Sequence, residues 1–322
     1  MKRFIFCAAA ALLLCMSVPG TAWAQTLLVP VGRVVGLEIG DDTVFVAAYD
    51  DTLGSAARQA GVQIGDEIVK IDGYTIDSPE DIRNALAKSD GTVELLLSGE
   101  AGQRQVSMCP AITGDGPKLG LYLRCGVTGI GTVTFYDPET GEFGTLGHGD
   151  SNGSGEVVPF SRGDVYRAGV MSVKRGQAGQ PGQLRGVFQS ADRIGTLSAN
   201  TARGVFGRVE EPWRGEALPA ADSADVKAGK AVILSTVSGT EPQEYSVEIL
   251  KIYPESRGDG RNMLLRVTDP ALLAATGGIV QGMSGSPIIQ DGKLVGAVTH
   301  VLVNDPTTGY GIFIENMLDA AA

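Results

Sequence analysis

The feature that most constrains the fold is the density of short strands and turns along most of the chain. Glycine, which tight turns often require, accounts for 45 of the 322 residues. Two apolar runs, 132–136 and 143–146, flank the turn residues 137–141 and predict a β-hairpin. In the C-terminal two thirds only residues 269–276 and 314–321 have a helical pattern. Many short strands without intervening helices indicate barrels or a sandwich, so we expect a mainly β protein.

The first 24 residues predict an export signal. Lys2 and Arg3 precede an apolar stretch of about 15 residues, which is short for a membrane span. Ala22 and Ala24 are the small residues that a signal peptidase prefers before a cut at Gln25. An uncleaved membrane anchor is the alternative. In either case we expect the rest of the chain to act outside the cytoplasm, at most peripheral to a membrane.

Charge and residue counts limit the classes of partner. The formal net charge of −11 argues against nucleic acid or an anionic membrane as the main partner. Histidine occurs only at His148 and His300, so we expect no metal site, and no motif indicates a cofactor. Cys109 and Cys125 lie outside the signal, and the sequence leaves open whether they form a disulfide or stay free thiols.

Residues 26–108 predict a small domain of their own. Ser78 and Pro79 are typical of a helix N-cap and the first helical residue. Residues 57–73 read A-x-x-A-G-V-x-x-G-D-x-I-x-x-I-D-G, which resembles bacterial PDZ domains. The resemblance implies that an extended peptide binds as an added strand with its carboxylate on backbone N–H groups. The alternative is a PDZ-like unit that only packs on its neighbour. The matching loop and receiving strand comprise Val34, Val35, Gly36, Leu37, Glu38 and Ile39.

A glycine-framed serine precedes a hairpin and an apolar strand near the C-terminus. The segment reads Gly282-Met283-Ser284-Gly285-Ser286-Pro287. A nucleophilic serine must project into a cleft, and glycines permit the turn that this requires. Chymotrypsin-like proteases present their nucleophile in a similar frame, which favours Ser284 over Ser286. A glycine-rich turn without catalytic function is the alternative.

A serine nucleophile needs a base, and imidazole is the usual choice near neutral pH. His148 lies in a glycine-rich loop, whereas His300 lies within an apolar strand, so His148 is the favoured base. The base in turn needs a carboxylate to orient it. Asp269 gives the chain order His, Asp, Ser and is ranked slightly ahead of Asp150, with Asp305 a weaker candidate.

These motifs together resemble the stage IV sporulation protein B family of serine peptidases over essentially the whole chain. The resemblance lies in Leu146-Gly147-His148-Gly149 and in residues 267–287 and 297–312. It implies a chymotrypsin-like double β-barrel at 109–322, after the PDZ domain at 26–108. It also assigns His148 as base, Asp269 as orienting acid and Ser284 as nucleophile, with an oxyanion hole formed by the backbone N–H groups of Gly282 and Ser284. Met283 stands where trypsins have an aspartate, so activation cannot follow the trypsin route.

The resemblance also implies a function. The protein is expected to be a serine endopeptidase that the forespore exports into the space between two membranes. It is expected to cut itself within residues 25–31 and then to cut a membrane-bound sporulation regulator, which triggers late sigma-factor processing. His300 is expected to line the pocket for the substrate residue before the scissile bond. A general envelope quality-control protease and a non-catalytic PDZ adaptor are the alternatives.

Overall fold

The computed structural model describes residues 26–99, 102–151, 157–253 and 260–321, with only the backbone described for Asp41 and Ser190. The predicted export signal therefore lies outside the described residues. In the part of the chain that is described, no helix combines the length and apolar character needed to cross a bilayer.

The described residues form twenty strands and four short α-helices. The N-terminal elements are β1 (Leu27–Pro30), β2 (Val34–Tyr49), α1 (Ser55–Gln59), β3 (Glu67–Ile71), β4 (Tyr74–Thr75), α2 (Pro79–Lys88), β5 (Val93–Gly99), β6 (Gly102–Met108), β7 (Ala111–Thr113), β8 (Gly116–Lys118) and β9 (Leu121–Tyr136). The remaining elements are β10 (Glu142–Thr145), β11 (Arg162–Lys174), β12 (Gln183–Thr201), β13 (Gly204–Val209), β14 (Leu218–Pro219), β15 (Gly229–Ser235), β16 (Gln243–Ile252), β17 (Met263–Val267), α3 (Pro270–Thr276), β18 (Pro287–Gln290), β19 (Lys293–Leu302), β20 (Asp305–Phe313) and α4 (Ile314–Ala321).

Twelve of these strands close two antiparallel barrels of six strands each. The first barrel has the order β9-β10-β13-β12-β11-β2 and is closed by the pairing of β2 with β9. The second has the order β15-β16-β17-β20-β19-β18 and is closed by the pairing of β15 with β18. The two barrels have the same topology. When the six strands of each barrel are numbered along the chain, their order around the barrel is 1-2-3-6-5-4. The predicted mainly β, double-barrel fold is confirmed.

The PDZ domain is inserted between the first two strands of the first barrel. Strands β2 and β9 are long enough to belong to both units, and their pairing shifts register between Ile39 and Val44. Residues 34–39 pair with 127–132 in the barrel, whereas 44–49 pair with 121–125 in the PDZ domain. The PDZ core is a separate apolar cluster that includes Val44, Ile68, Ile82, Leu95 and Leu119.

These pairings correct the predicted domain boundaries. Residues 27–39 belong to the first barrel and not to the PDZ domain, because β1 and the start of β2 pair with barrel strands. Residues 111–125 belong to the PDZ domain, since Leu119 lies in its core and 121–125 pair with its strand. The local pattern identifies each strand, but it contains no information about the distant strand with which it pairs.

Strand β1 holds the two barrels together. It pairs with β14 on one side and with β9 on the other. Leu28 is fully buried in an apolar cluster that contains residues of both barrels: Phe135, Phe206, Leu294, Ala297, Ile312, Ile314 and Met317. Cys109 and Cys125 are not joined to each other by a disulfide in this structure.

Candidate active site

His148 lies in the turn between the third and fourth strands of the first barrel. Strand β10 ends at Thr145, and Leu146 and Gly147 then have φ angles of 68° and 66°. A left-handed leucine is uncommon, so this turn is tightly specified by its surroundings. A Cβ atom on Gly147 would lie 2.9 Å from Cγ2 atoms of Ile312 and Thr299. The glycine therefore lets the turn pack directly on the second barrel.

The His148 ring is held by its own neighbour. Its Nδ1 atom lies 2.8 Å from the carbonyl oxygen of Gly149. Because a carbonyl only accepts, Nδ1 donates its hydrogen in this arrangement. Atom Nε2 then keeps the lone pair that a general base requires.

Ser284 lies in the equivalent connection of the second barrel, between its third and fourth strands. Gly282 and Gly285 on either side both have a φ of 94°, a region that favours glycine. A Cβ atom on Gly285 would lie only 1.9 Å from the carbonyl oxygen of Thr132. Met283 is fully buried in the second barrel's core, which anchors the loop while Ser284 stays partly exposed.

Strand β9 of the first barrel fixes the shape of this serine loop. The N–H of Thr132 donates to the carbonyl of Ser284 at 3.1 Å, and its hydroxyl donates to the carbonyl of Gly282 at 2.7 Å. Thr134 donates in the same way to the carbonyl of Gly285 at 2.8 Å. No hydrogen bond among the described residues uses the backbone N–H of Gly282 or Ser284. These are the two donors predicted for the oxyanion hole.

A cavity of about 340 Å³ brings most of the predicted site residues together. His148, Ser284, Gly282 and His300 all line it, and the rings of the two histidines are 5.3 Å apart between centroids. His300 lines this cavity, and its expected place in the pocket for the substrate residue before the scissile bond stays a prediction. The apolar wall comprises Leu37, Ile130, Leu146, Ile279, Val280 and Val301.

The structure contains a resting arrangement of the serine. The Ser284 hydroxyl donates to the carbonyl of Thr299 at 2.8 Å. Within the described part of the chain, no hydrogen bond joins Ser284 to His148. Such bonds are often long or misaligned in proteases without substrate. The hydroxyl must therefore turn away from Thr299 before His148 can take its proton.

Asp269, the predicted orienting acid, is not among the described residues that line this cavity, and its catalytic role stays a prediction. Asp269 is the N-cap of α3, and its Oδ1 accepts from the N–H groups of Ala271 and Leu272 at 2.9 and 3.0 Å. Its Oδ2 accepts from Ser246 N–H at 3.3 Å. Both oxygens are therefore used in local structure. The sequence contains the signal for this cap, because an Asp followed by Pro270 is the same N-cap and first-turn pattern as Ser78-Pro79.

Asp150 is the carboxylate that lines the cavity beside His148 among the described residues. Burial raises the pKa of its carboxyl above 3.8, and the hydrogen bond from Ser151 N–H and the nearby His148 partly offset this rise. Asn200 at the end of β12 fixes the backbone of Asp150. The side chain of Asn200 accepts a hydrogen bond from the Asp150 N–H and donates one to the Asp150 carbonyl, both at 2.9 Å.

The other sequence candidates have structural roles. Ser286 is fully buried, and its hydroxyl donates to Ser235 at 3.0 Å, so it cannot meet a substrate. Asp305 begins β20, where it accepts hydrogen bonds from the hydroxyls of Thr307 and Thr308 at 2.7 and 2.8 Å. These bonds lower the pKa of Asp305 and hold a turn.

The predicted peptide-binding strand of the PDZ domain is wrong. Residues 34–39 of β2 pair with β11 on one edge and with β9 on the other. Neither edge is available to an added peptide strand, because both already have ladder partners. The predicted residues Val34, Val35, Gly36, Leu37, Glu38 and Ile39 therefore build the first barrel.

A different strand has the free edge that a PDZ ligand needs. Within the described residues, 121–124 of β9 pair on one side only, with 45–49 of β2. Leu119 and Gly120 form the turn before this strand, and Gly120 has a φ of 70°. Helix α2 packs into the same core as Leu119 and contacts β8. This loop, strand and helix are the candidate peptide groove.

A second, larger cleft of about 480 Å³ lies elsewhere on the first barrel. Charged side chains line much of it, and the described lining residues include no serine, cysteine or histidine. The described residues also contain no group of three or more His, Cys, Asp or Glu side chains placed to hold a metal ion. The smaller cavity, with Ser284 and His148, is therefore the candidate active site.

Two six-stranded barrels that place a serine and a histidine in equivalent connections define a chymotrypsin-like serine peptidase. A family model described as SpoIVB peptidase S55 matches residues 116–318, and a PDZ domain model matches residues 53–98. The chain belongs to the SpoIVB peptidase S55 family and is a serine peptidase with a PDZ domain.

Individual similar proteins are more distant. Over 148 residues the chain is 30% identical to a protein of Agrobacterium fabrum that is named provisionally as a zinc metalloprotease. That match covers 44% of this chain and 38% of the other, so the chain spans well under half of that curated relative. The inactive form of the Rv3671c protease is 16% identical with a TM-score of 0.33, covering 60% of this chain and 82% of that one. Its active form, from M. tuberculosis, is 18% identical with a TM-score of 0.36, covering 60% and 72%.

Proposed function

We propose that this protein is an exported serine endopeptidase that cuts itself and then a membrane-bound sporulation regulator. Ser284 is the nucleophile in this proposal, and His148 is the general base. The observation that supports it best is the shared cavity of Ser284 and His148, with two backbone N–H groups of the serine loop free to bind an oxyanion. Membership of the family supports the sporulation role.

The proposed chemistry follows from this arrangement. The Ser284 hydroxyl leaves the Thr299 carbonyl and attacks the scissile carbonyl carbon, while His148 takes the hydroxyl proton at Nε2. The N–H groups of Gly282 and Ser284 stabilise the oxyanion, and one such donor contributes about 3 kcal/mol. The imidazolium then protonates the leaving amine. A water molecule, activated by the same base, hydrolyses the acyl-enzyme.

Self-cleavage is proposed on the N-terminal side of Leu27. Residues 27–28 of β1 pair with β14, residues 29–30 pair with β9, and Leu28 is fully buried. A protease binds its substrate as an accessible extended chain, so bonds within β1 are protected while the barrels are folded. Cutting before β1 releases the chain from its export segment without opening the fold.

The PDZ domain is proposed to bind a peptide C-terminus at the free edge of residues 121–124. The peptide adds as a strand to β9, with its carboxylate near the turn at Leu119 and Gly120. This strand belongs to the same β9 that contacts the serine loop through Thr132. A ligand or the regulator itself would thereby be held close to the peptidase.

Active-site labelling tests the proposed function. We would treat residues 25–322 with a fluorophosphonate, map the label by peptide mass, and follow self-cleavage by intact mass. The parent is expected to be labelled at Ser284 and to fragment, whereas Ser284→Ala does neither. Ser286→Ala is the matched control and should label like the parent, because Ser286 is buried. Labelling that survives in Ser284→Ala would overturn the assignment of the nucleophile.

A further inference from the structure

We propose that Asn200 is a positioning residue that fixes the orientation of the catalytic histidine through a single peptide group. This inference rests on the proposed function of His148 as general base. Asn200 is the second-last residue of β12, and it acts on the substrate only through the loop that carries His148. The role is separate from that of the orienting acid, for which Asp269 stays the prediction.

The barrel topology brings Asn200 to the histidine loop. Strands β10 and β12 run in the same direction, because one strand, β13, lies between them and is antiparallel to both. Their C-terminal ends therefore lie at the same end of the barrel. His148 follows the end of β10, and Asn200 lies at the end of β12. A Cβ atom on Gly149 would lie 2.7 Å from the carbonyl oxygen of Thr201, so the histidine loop packs directly on the β12–β13 hairpin.

Asn200 uses its whole amide group on this loop. Its Oδ1 accepts from the Asp150 N–H, and its Nδ2 donates to the carbonyls of Asp150 and Val158, each at 2.9 Å. Because the partners are one N–H and two carbonyls, they match the acceptor and the two donors that a side-chain amide offers. The N–H of Val158 also donates to the Asp150 carbonyl at 3.0 Å. Asn200 therefore holds both arms of the loop together.

One peptide group joins Asn200 to the histidine. The planar unit between Gly149 and Asp150 has the Gly149 carbonyl on one side and the Asp150 N–H on the other. The carbonyl accepts from His148 Nδ1 at 2.8 Å, and the N–H donates to Asn200 Oδ1 at 2.9 Å. Since the unit is planar, fixing the direction of the N–H also fixes the direction of the carbonyl, and each bond polarises the group and strengthens the other. Asn200 thereby holds the acceptor that keeps the hydrogen on Nδ1 and the lone pair on Nε2.

A purely local role does not account for these bonds. Asparagine near a turn usually bonds to its own turn, and it is disfavoured within strands. Asn200 pairs with Val205 in the hairpin ladder, yet the three side-chain bonds described above all cross to the histidine loop. Its neighbour Thr201 shows the local pattern. The Thr201 hydroxyl donates to the Gly204 carbonyl at 3.0 Å and accepts from the Arg203 N–H at 3.2 Å.

Substitution of these two neighbours tests the proposal. Asn200→Ala removes the three bonds to the histidine loop, whereas Thr201→Val removes the two bonds within the turn. The second-order rate of fluorophosphonate labelling at Ser284 depends on its activation by the base. We expect this rate to fall about 10- to 100-fold in Asn200→Ala, because small displacements of a catalytic group are costly. Thr201→Val should lower Tm by a similar amount but label within about threefold of the parent, since its bonds do not reach the base.

Imidazole ¹⁵N shifts give a readout that a loss of stability alone would not move. The chain has two histidines, so a His300→Gln variant assigns the signals of His148. At about pH 8, well above the ordinary histidine pKa of about 6.5, the parent should show one tautomer of His148 with the hydrogen on Nδ1. Asn200→Ala should shift both ring nitrogens toward a mixture of tautomers. Thr201→Val should leave them unchanged.

Asn200→Thr serves if the alanine variant does not fold. Threonine is favoured in strands, and its hydroxyl lies one bond nearer the backbone than the amide atoms and cannot replace all three bonds. It should also slow labelling and give a mixture of tautomers. A folded Asn200 variant that keeps the parent tautomer and labels within about threefold of the parent would overturn the proposal. Equal slowing of labelling by Thr201→Val would do the same.

The two measurements separate this inference from the proposed function. If the parent shows no label on Ser284, yet the Asn200 variants change the tautomer of His148, Asn200 positions the histidine but the peptidase assignment fails. If the parent labels and cuts, but the Asn200 variants change neither the tautomer nor the labelling rate, the peptidase assignment stands and the role of Asn200 is refuted.

Discussion

Asp150 illustrates the cost in stability of burying a carboxylate. Because burial raises its pKa above 3.8, the folded state binds a proton more tightly than the unfolded state. The loss of stability caused by burying the charged carboxylate is absent at pH values below its ordinary pKa. It develops as pH rises through the raised pKa of the folded state. We therefore expect Asp150→Asn to have a higher Tm than the parent at pH 7, with the difference disappearing near pH 3.5.

Thermal unfolding at both pH values checks this prediction. Asp269→Ala is a useful comparison, because the loss of an N-cap costs about 1 kcal/mol and should lower Tm. A substitution that raises stability while it lowers activity indicates a functional residue. A substitution whose main effect is a loss of stability indicates a structural residue. A lower Tm for Asp150→Asn than for the parent at pH 7 would contradict a net penalty for burying this carboxylate.

Single residues also show what the sequence could predict about the site. Ser284 and His148 were predictable, because both need glycines beside them and the structure uses those glycines at close contacts and positive φ angles. Which aspartate lines the cavity was not predictable from chain order. An aspartate two residues from a histidine could equally well hold a turn, and only the position of the second barrel shows which aspartate lines the cavity.

At the scale of elements, β9 connects the two functional parts of the molecule. Its first residues form the free PDZ edge, and Thr132 further along donates to the carbonyl of Gly282 at 2.7 Å. Thr132→Val keeps the shape of this side chain and removes the hydrogen bond. We expect a loss of about fivefold in kcat/KM, because one such bond contributes about 1 kcal/mol to holding the serine loop in shape.

Thr236→Val is the matched control for this prediction. Thr236 is as buried as Thr132, and its hydroxyl also donates to a backbone carbonyl, that of Gly32, at 3.0 Å. Among the described residues its hydroxyl is bonded to Gly32 and not to the serine loop, so its replacement should lower Tm by a similar amount with little change in kcat/KM. Equal losses of activity in the two variants would mean that Thr132 acts through general stability only.

The positions of helices and strands along the chain were predicted better than the pairing of the strands. The helix that begins after Ser78 and the two short helices near the C-terminus are where local signals placed them. Residues 37–39 were also predicted as a strand, but after a loop at 34–36, and the segment was assigned to the wrong unit. Its two partners lie about 90 to 130 residues further along the chain. Alternation of apolar residues shows that one face of a strand is buried. A strand in a barrel and a strand in a PDZ sheet both have such a face, so the pattern does not distinguish them.

At the scale of the whole molecule, the PDZ domain is an insertion and not an N-terminal neighbour. The order of motifs along the sequence suggested two successive domains, because the inserted unit begins only a few residues after the barrel does. The peptidase therefore depends on residues before the PDZ domain, namely β1 and the start of β2. Removing the chain up to residue 108 takes one of its six strands from the first barrel.

A clean excision of the PDZ domain is possible because of this topology. Ile39 and Val127 are paired across β2 and β9, so deletion of residues 41–125 joins Gly40 to Gly126 as a two-residue hairpin loop. Gly-Gly suits the tight turns that such loops adopt, and Gly126 already has a φ of 68°. The Gly40 carbonyl also keeps its hydrogen bond from Ser161 N–H, at 3.0 Å.

We expect the 41–125 deletion to unfold cooperatively and to be labelled by a fluorophosphonate at Ser284. The 26–108 deletion, which follows the boundaries suggested by the sequence, should give neither result, because β11 loses its partner β2 and the first barrel cannot close. Thermal unfolding and labelling of both variants decide between the two domain organisations. A folded 26–108 deletion together with an unfolded 41–125 deletion would show that the PDZ domain precedes the peptidase. The reverse outcome establishes that the protease fold closes around residues on both sides of the insertion.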